Sequence, residues 1–312
     1  MPYRPILIAA VQAAGLTIAG FIIPLLGQIA ALLAPVPLII VAVREGRKAG
    51  LAAVGIAAAV VAVVVSGKMV FVFFFLSFGL MALGLSEGLL RRLRPEQAVL
   101  AGGLLPLAAL VAALTPLLLK AGKDPLALAD EYLRTSIIEA QQLYTQLGLT
   151  ELAQMMASVP ENTLYYLVRL SPGIVLVTTL FQAACCYGMA RSLLLRKDPG
   201  LTLSSGPAFA AWPAPDSWVW GFIAGLALLV VPGTGIRLAG MNVTLLFLLV
   251  YIAQGAALVE FWLRKLKLSV LWRSFAHAII LTLPPTIAVV VALGVVDIWA
   301  DFRKVRGPHQ NL

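Results

Sequence analysis

The sequence has little charge and little of the side-chain chemistry that catalysis uses. Asp, Glu, Lys and Arg make up 12% of its 312 residues, and it holds two histidines and two cysteines. Soluble domains are about a quarter charged, so a chain this apolar could not cover a water-facing surface with polar groups. Cys185 and Cys186 are adjacent within an apolar run, which predicts packing residues rather than a disulfide or a metal site.

Motifs that carry known chemistry are also missing. The sequence contains no HExxH, no paired aspartates of an intramembrane protease and no GxxxxGK[ST] phosphate loop. The run PGTGIRLAG lacks the glycine spacing of a dinucleotide site. We therefore predict a protein that is not an enzyme, with no catalytic residue, no metal ligand and no cofactor.

Apolar residues dominate what is present. They make up 61% of the chain, and the mean hydropathy is +0.97. Runs of roughly 20 apolar residues mark membrane spans, and the run from 6 to 43 divides at Gly20, Pro24 and Gly27. We predict an all-α, polytopic transmembrane helical bundle of about 8–9 segments, at 6–22, 25–43, 49–66, 69–90, 97–119, 164–194, 217–235, 241–263 and within 274–298.

Basic residues lie between these runs and predict the topology. Seventeen of the 23 Lys and Arg residues fall in one set of loops, around residues 4, 44–48, 91–94, 191–197, 264–273 and 303–306. Lys and Arg gather on the cytoplasmic side of membrane proteins. We predict a cytoplasmic N-terminus in a bacterial cytoplasmic membrane, and we attribute the net charge of +9 to topology rather than to nucleic-acid binding.

The end of the chain conflicts with this topology. A single span within 274–298 would place the basic tail DFRKVRGPHQNL outside. Pro284 and Pro285 remove two backbone donors, which breaks a helix. A broken or re-entrant segment would return the tail to the cytoplasm, whereas a kinked single span would not, and the sequence leaves both open.

One long polar excursion separates the two halves of the chain. Residues 121–162 follow a helical pattern, with Asp124 as N-cap and Pro125 at the first helical position. We predict an external amphipathic helix or helix pair that lies on the bilayer or covers an external cavity. This divides the chain into N-terminal membrane helices (1–120), the external loop (121–162) and C-terminal membrane helices with a short basic cytoplasmic tail (163–312).

The predicted span 241–263 carries polar side chains that a bilayer disfavours. Glu260 is four residues before Arg264, so an ion pair near the inner interface explains it. Gln254 is some 18 Å along the axis from Asn242, well inside hydrocarbon, with Tyr251 on roughly the same side. Such residues act as interhelical hydrogen-bonding groups or as ligand contacts, and the predicted ligand-binding residues are Asn242, Tyr251 and Gln254.

Other polar residues lie within the apolar runs without forming a chemical constellation. Glu87 precedes Arg91 by four residues, and Asp297 precedes Asp301 and Arg303, so both are predicted near an interface. His277 is predicted to be a satisfied packing residue rather than a proton carrier. The remaining candidates are Gln12, Gln28 and Gln182.

The first predicted span has a face of small residues. Ala9 and Ala13, with Ala10 and Ala14, form an overlapping small-xxx-small pattern that lets another helix approach closely. The face serves packing inside the chain or docking of a partner subunit.

Five stretches carry a family resemblance: IIPLLGQIAALLAPVPLIIVAVREGRKAGL, FFFLSFGLMALGLSEGLLRR, WPAPDSWVW, NVTLLFLLVYIAQGAALVEFWLRK and LGVVDIWADFRK. Together they resemble the DUF2232, or YybS-like, family of bacterial predicted membrane proteins. The first half is also similar to the S components of energy-coupling factor vitamin transporters, in which an AxxxA face docks a transmembrane coupling subunit. This resemblance implies a small-molecule-binding or transporter subunit with such a partner in the bilayer. The alternative is a non-catalytic scaffold or assembly protein.

Overall fold

The computed structural model describes residues 3–23, 26–65, 68–122, 124–198, 200–201, 203 and 207–305. Within these residues the chain is helical and has no strand. The α-helices are α1 (Arg4–Ile22), α2 (Leu26–Leu32), α3 (Pro35–Glu45), α4 (Arg47–Val64), α5 (Lys68–Phe74), α6 (Leu80–Leu90), α7 (Pro95–Ala121), α8 (Pro125–Gln146), α9 (Thr150–Ala157), α10 (Glu161–Lys197), α11 (Trp218–Val230), α12 (Thr234–Lys265), α13 (Val270–Thr282) and α14 (Pro284–Ala300). A π-helical stretch, Phe75–Gly79, joins α5 to α6.

Seven of the described helical segments are long and apolar enough to cross a bilayer, and a bent pair makes an eighth candidate. The prediction of an all-α polytopic bundle is confirmed. The single span predicted at 217–235 is instead a 13-residue helix, α11, about 20 Å long against a hydrocarbon core of about 30 Å. The seven candidate membrane spans are Arg4–Ile22, Gly27–Glu45, Arg47–Val64, Phe71–Leu90, Pro95–Lys120, Glu161–Lys197 and Thr234–Lys265.

The chain divides into two compact units. Unit 1 comprises Met1–Leu110, Leu176–Val219 and Phe247–Leu312, and unit 2 comprises Val111–Val175 and Trp220–Leu246. The boundaries fall inside α7, α10, α11 and α12.

Unit 1 has a core of small and branched side chains. The alanine face of α1 lies within it, where Ala9, Ala10, Ala13 and Ala14 are at most 5% exposed. Helix α1 packs against α2, α3 and α4, so the small side chains allow close helix approach inside the chain. The structure realises the internal-packing alternative, and docking of a partner on this face stays a prediction.

Unit 2 contains the polar excursion predicted to be a helix or helix pair. It is a pair, α8 and α9, that pack on each other. Asp124 Oδ1 accepts a hydrogen bond from the backbone N–H of Leu126 at 3.4 Å, and Pro125 is the first helical residue. The predicted N-cap and helix start are therefore confirmed.

The C-terminal segment is broken. The helical stretches Val270–Ile280 and Pro284–Ala300 are bent by 102°, at the proline pair identified in the sequence. The Thr286 hydroxyl lies 2.7 Å from the Leu283 carbonyl, beside the break. This geometry favours the broken or re-entrant alternative, whereas residues 306–312 of the predicted tail lie outside the described part of the chain.

Candidate functional site: buried polar clusters and a charged cavity

A buried polar cluster lies in unit 1, between α12 and α14. Gln254 and Asp297 are 0% and 1% exposed. The Gln254 amide donates from Nε2 to Asp297 Oδ2 at 3.2 Å, and its Oε1 accepts from the backbone N–H of Ala214 at 3.1 Å. The amide thus joins a neighbouring helix to an irregular segment of backbone.

Arg303 completes this cluster. Its Nη2 donates to Asp297 Oδ2 at 2.7 Å, and its Nη1 lies 3.0 Å from the carbonyl oxygens of Ala210 and Trp212. Asp297 is therefore a buried partner of Arg303. The pair can form because the chain reverses after α14, where Asp301 adopts a left-handed conformation at φ 38°, which aspartate tolerates. The position of Asp297 near a membrane interface stays a prediction.

The irregular backbone explains why such polar groups are buried. Residues 212–217 have no helical structure and follow one 3₁₀ turn, Phe209–Ala211. Ala214 of this segment contacts Gln254. Gln254 lies 11 residues before the end of α12, which is roughly 16 Å along the helix. At such a depth backbone N–H and C=O groups need protein partners, and Gln254 and Arg303 supply them.

Two glycines allow α12 and α14 to approach closely enough for this network. A Cβ added at Gly255 would lie 2.0 Å from the Val290 carbonyl oxygen, and one at Gly294 would lie 2.3 Å from that of Tyr251. Both are far inside van der Waals contact. Only glycine, whose side chain is a hydrogen atom, therefore fits at these two positions.

Asn242 has a related role in unit 2. Helix α10 contains Pro172, which has no N–H and disrupts the helical ladder. Asn242 Oδ1 accepts from the Gly173 N–H at 2.9 Å, while its Nδ2 donates to the Arg169 carbonyl at 3.3 Å. These are the two groups that a regular helix would bond to each other.

Ser171 satisfies a further group at the same kink. The carbonyl of Val168 faces the position where Pro172 lacks its donor, and the Ser171 hydroxyl donates to it at 2.7 Å. Proline is tolerated in membrane helices where side chains of this kind satisfy the freed groups.

Two more side-chain amides, both in unit 1, donate to backbone carbonyls that have no partner within their own helix. Gln28 Nε2 donates to the Gly20 carbonyl at 2.8 Å, near the end of α1, and Gln182 Nε2 donates to the Leu32 carbonyl at 3.1 Å, at the last residue of α2. The final carbonyls of a helix lack intrahelical partners. Gln12 is exposed on α1 and, unlike Gln28, its side chain forms no hydrogen bond with the described residues.

Two acidic residues near helix ends pair with the arginine four residues on, as predicted for Glu260, and each also pairs with an arginine farther away in the sequence. Glu260 accepts from Arg264 at 2.7 Å and also from Arg273 at 2.5 Å. Glu87 accepts from Arg91 at 2.5 Å and from Arg47 at 2.8 Å.

His277 bonds through Nδ1 to the Arg273 carbonyl oxygen at 2.8 Å. Its Nε2 is buried with no hydrogen-bond partner among the described residues. The prediction of a satisfied packing histidine therefore holds for one ring nitrogen only.

A cavity of about 460 Å³ lies in unit 2, between the start of α8 and the start of α10. Its walls carry charges of both signs, which distinguishes it from an apolar packing defect. The lining residues are Asp124, Leu126, Ala127, Asp130, Arg134, Glu161, Asn162, Tyr165, Val168 and Arg169.

Arg134 organises the charges of this cavity. It holds both carboxylate oxygens of Glu161, at 3.0 and 2.8 Å, and donates from Nε to Asp130 at 2.9 Å. The hydrogen bonds to Glu161 and then to Asp130 raise the pKa of Arg134 above its usual value. This pairing fixes α8 to the first turn of α10.

Arg169 and Asp124 complete the charged lining. The Arg169 guanidinium carbon lies 3.7 Å from the centroid of the Tyr165 ring, a cation–π contact. Within the described residues neither Arg169 nor Asp124 forms an ion pair.

The ligand-binding role of Asn242, Tyr251 and Gln254 stays a prediction. Tyr251 and Gln254 are buried in unit 1, Asn242 is in unit 2, and none of the three lines the cavity. The cavity residues were not predicted as a site, although the long polar excursion that contains many of them was the available signal. No group of three metal-binding side chains occurs among the residues described.

These elements define a class: an α-helical, multi-pass integral membrane protein whose buried polar side chains bond to interrupted backbone. The family can also be stated. The profile of DUF2232, described as a predicted membrane protein, matches residues 11–298, and the chain belongs to that family. No curated protein and no solved structure matches it.

Proposed function

We propose that this protein is a membrane-embedded solute-binding subunit and that the charged cavity of unit 2 is its ligand site. The cavity itself is the observation that supports the proposal. Its volume of about 460 Å³ lies within the usual range of small-molecule sites, about 300–1,000 Å³. The proposal includes no catalytic step.

The lining supports a zwitterionic ligand. Arg134 is paired with both Asp130 and Glu161, whereas Arg169 and Asp124 are the charged lining residues that have no ion-pair partner among the described residues. Arginine suits a carboxylate or phosphate, and the Asp124 carboxylate suits an ammonium group. A small molecule that carries both charges would satisfy both side chains.

The resemblance to S components supports a transport role with a transmembrane coupling subunit as partner. A phosphate-loop motif is absent from the sequence, so the partner would supply the energy. Because Ala9, Ala10, Ala13 and Ala14 pack inside unit 1, the proposal is based on the cavity and not on this face.

Native mass spectrometry of protein extracted gently from its own membrane tests the ligand site. We expect a retained zwitterion in the wild type, loss of it in Arg169→Gln, and retention in Arg237→Gln. Arg237 carries the same charge in unit 2, is exposed and does not line the cavity. Absence of any retained small molecule, or equal retention in both variants, would contradict the proposal.

A second variant tests the partner of the ammonium group separately from the partner of the anionic group. Asp124→Asn keeps the N-cap of α8, because asparagine caps helices as well as aspartate does, but removes the partner of the ammonium group. We expect it to weaken retention of a zwitterion while a purely anionic solute binds at least as well.

The alternative function is a non-catalytic membrane scaffold. It is favoured by the observation that Asn242, Gln254 and Arg303 bond to groups of this chain itself, as structural residues do. A membrane protein that co-purifies through the 198–216 loop and the tail, without any retained solute, would support it.

A further inference from the structure

We propose that the turn between α12 and α13 binds the phosphate group of an anionic phospholipid. Four basic residues lie within ten positions there: Arg264, Lys265, Lys267 and Arg273. The turn is compact, since the Leu268 N–H donates to the Leu263 carbonyl at 3.2 Å. Lys267 takes the left-handed conformation at φ 57° that this turn requires.

Lys265 and Lys267 are the basic residues of this turn that remain for an external anion. Glu260 is engaged by both arginines, Arg264 and Arg273. Neither Lys265 nor Lys267 forms an ion pair within the described part of the chain. Lys265 Nζ lies 4.7 Å from the centroid of the Trp262 ring, and both lysines are exposed.

Helix α13 places an apolar surface directly beside these cations. Leu271, Trp272 and Phe275 are more than half exposed, whereas Ile280 is buried. The Trp272 and Phe275 rings pack edge to face at 6.1 Å. Basic residues next to exposed aromatic and aliphatic side chains are typical of a helix at the membrane interface.

The combination favours a lipid over a free anion. A soluble phosphate would use the lysines but leave the face of α13 uncovered. A phospholipid supplies a phosphate for the lysines and acyl chains for Leu271, Trp272 and Phe275. Juxtamembrane basic clusters attract anionic lipids in this way.

Native mass spectrometry of the full chain in detergent tests the site, with phosphatidylglycerol and phosphatidylcholine of identical acyl chains as probes. We expect the wild type to retain phosphatidylglycerol preferentially. The variant Lys265→Gln/Lys267→Gln should retain at least tenfold less, since each basic residue near an anionic lipid contributes about a factor of five.

Matched variants separate local binding from general charge effects. Arg44→Gln/Lys48→Gln removes the same charge from another basic cluster of unit 1 and should retain phosphatidylglycerol fully, as should Lys265→Arg/Lys267→Arg. Equal loss in the two glutamine variants, equal retention of phosphatidylcholine, or displacement by millimolar inorganic phosphate would overturn the proposal. Unchanged melting temperatures would show that the variants are folded.

Discussion

At the scale of single residues, the polar side chains inside the apolar helices are partners for interrupted backbone. Asn242 bonds to both sides of the Pro172 kink, and Gln254 bonds to the irregular segment at Ala214. Each group would cost several kcal/mol in hydrocarbon without such a partner. The same side chains therefore stabilise two departures from regular helix.

Removing one partner of the Asp297–Arg303 pair should strongly destabilise the protein, because the other charge is then left buried and uncompensated. The two side chains are 1% and 0% exposed, and removing one partner of a buried pair costs about 3–5 kcal/mol. We expect Arg303→Leu to lower the free energy of unfolding in detergent by that amount. Adding Asp297→Asn should recover part of the loss, because no uncompensated charge then remains.

The exposed pair Arg47–Glu87 provides the control. The Arg47 side chain is 70% exposed, and exposed pairs contribute about 0–1 kcal/mol. Arg47→Gln should therefore change stability little. A loss as large as that of Arg303→Leu would show that burial does not explain the difference.

Asn242 and Pro172 should be energetically coupled. Asn242→Leu leaves the Gly173 N–H and the Arg169 carbonyl without this partner, at a cost of about 1–3 kcal/mol. In a Pro172→Ala background the cost should fall, since α10 can then form its own bonds. A double-mutant cycle measures this coupling.

The exposed amide Gln12 serves as the control for Asn242. Gln12→Leu removes an amide from the outside of α1 and should not destabilise the protein. An Asn242→Leu cost that is the same with and without Pro172 would mean that the amide does not act through the kink.

At the scale of elements, the crossing of α12 and α14 depends on glycine. Because a Cβ at Gly255 would meet the Val290 carbonyl oxygen, we expect Gly255→Ala to destabilise the protein by about 1–3 kcal/mol. Gly188→Ala is the matched control, since nothing lies within 4 Å of its added Cβ. Thermal unfolding in detergent that shifts equally in both variants would contradict this account.

The break between α13 and α14 likewise depends on contacts between elements. Pro284 and Pro285 identify where the helix ends, but not the direction of the next segment. The 102° bend and the return of Arg303 to the carbonyls of Ala210 and Trp212 define that direction. Long-range contacts, not the prolines alone, position α14.

At the scale of the whole molecule, the end of α14 should lie on the same membrane face as the loop after α10. Four candidate spans separate Lys48 from that loop, and Arg303 contacts it. In a background lacking Cys185 and Cys186, we expect Lys48→Cys and Lys304→Cys to react with an impermeant maleimide from one face. Glu139→Cys in α8 should react from the other.

Labelling of Lys304→Cys together with Glu139→Cys would contradict this topology. It would instead support a single kinked span over α13 and α14. Reaction of all three positions only after solubilisation would also oppose the exposed positions that the structure assigns to them.

The amino-acid sequence by itself determined the membrane class, the family, most spans, the N-cap at Asp124 and the ion pair between Glu260 and Arg264. These follow from local composition or from residues four apart, because hydropathy and helical spacing are local properties. Only the tertiary structure decided the partners of Asn242, Gln254 and Arg303, which lie 69, 40 and 93 residues away along the chain. The charged cavity likewise needs α8 and α10 side by side. Side-chain pattern predicts what enters the bilayer, but hydrogen-bond partners depend on how the helices pack.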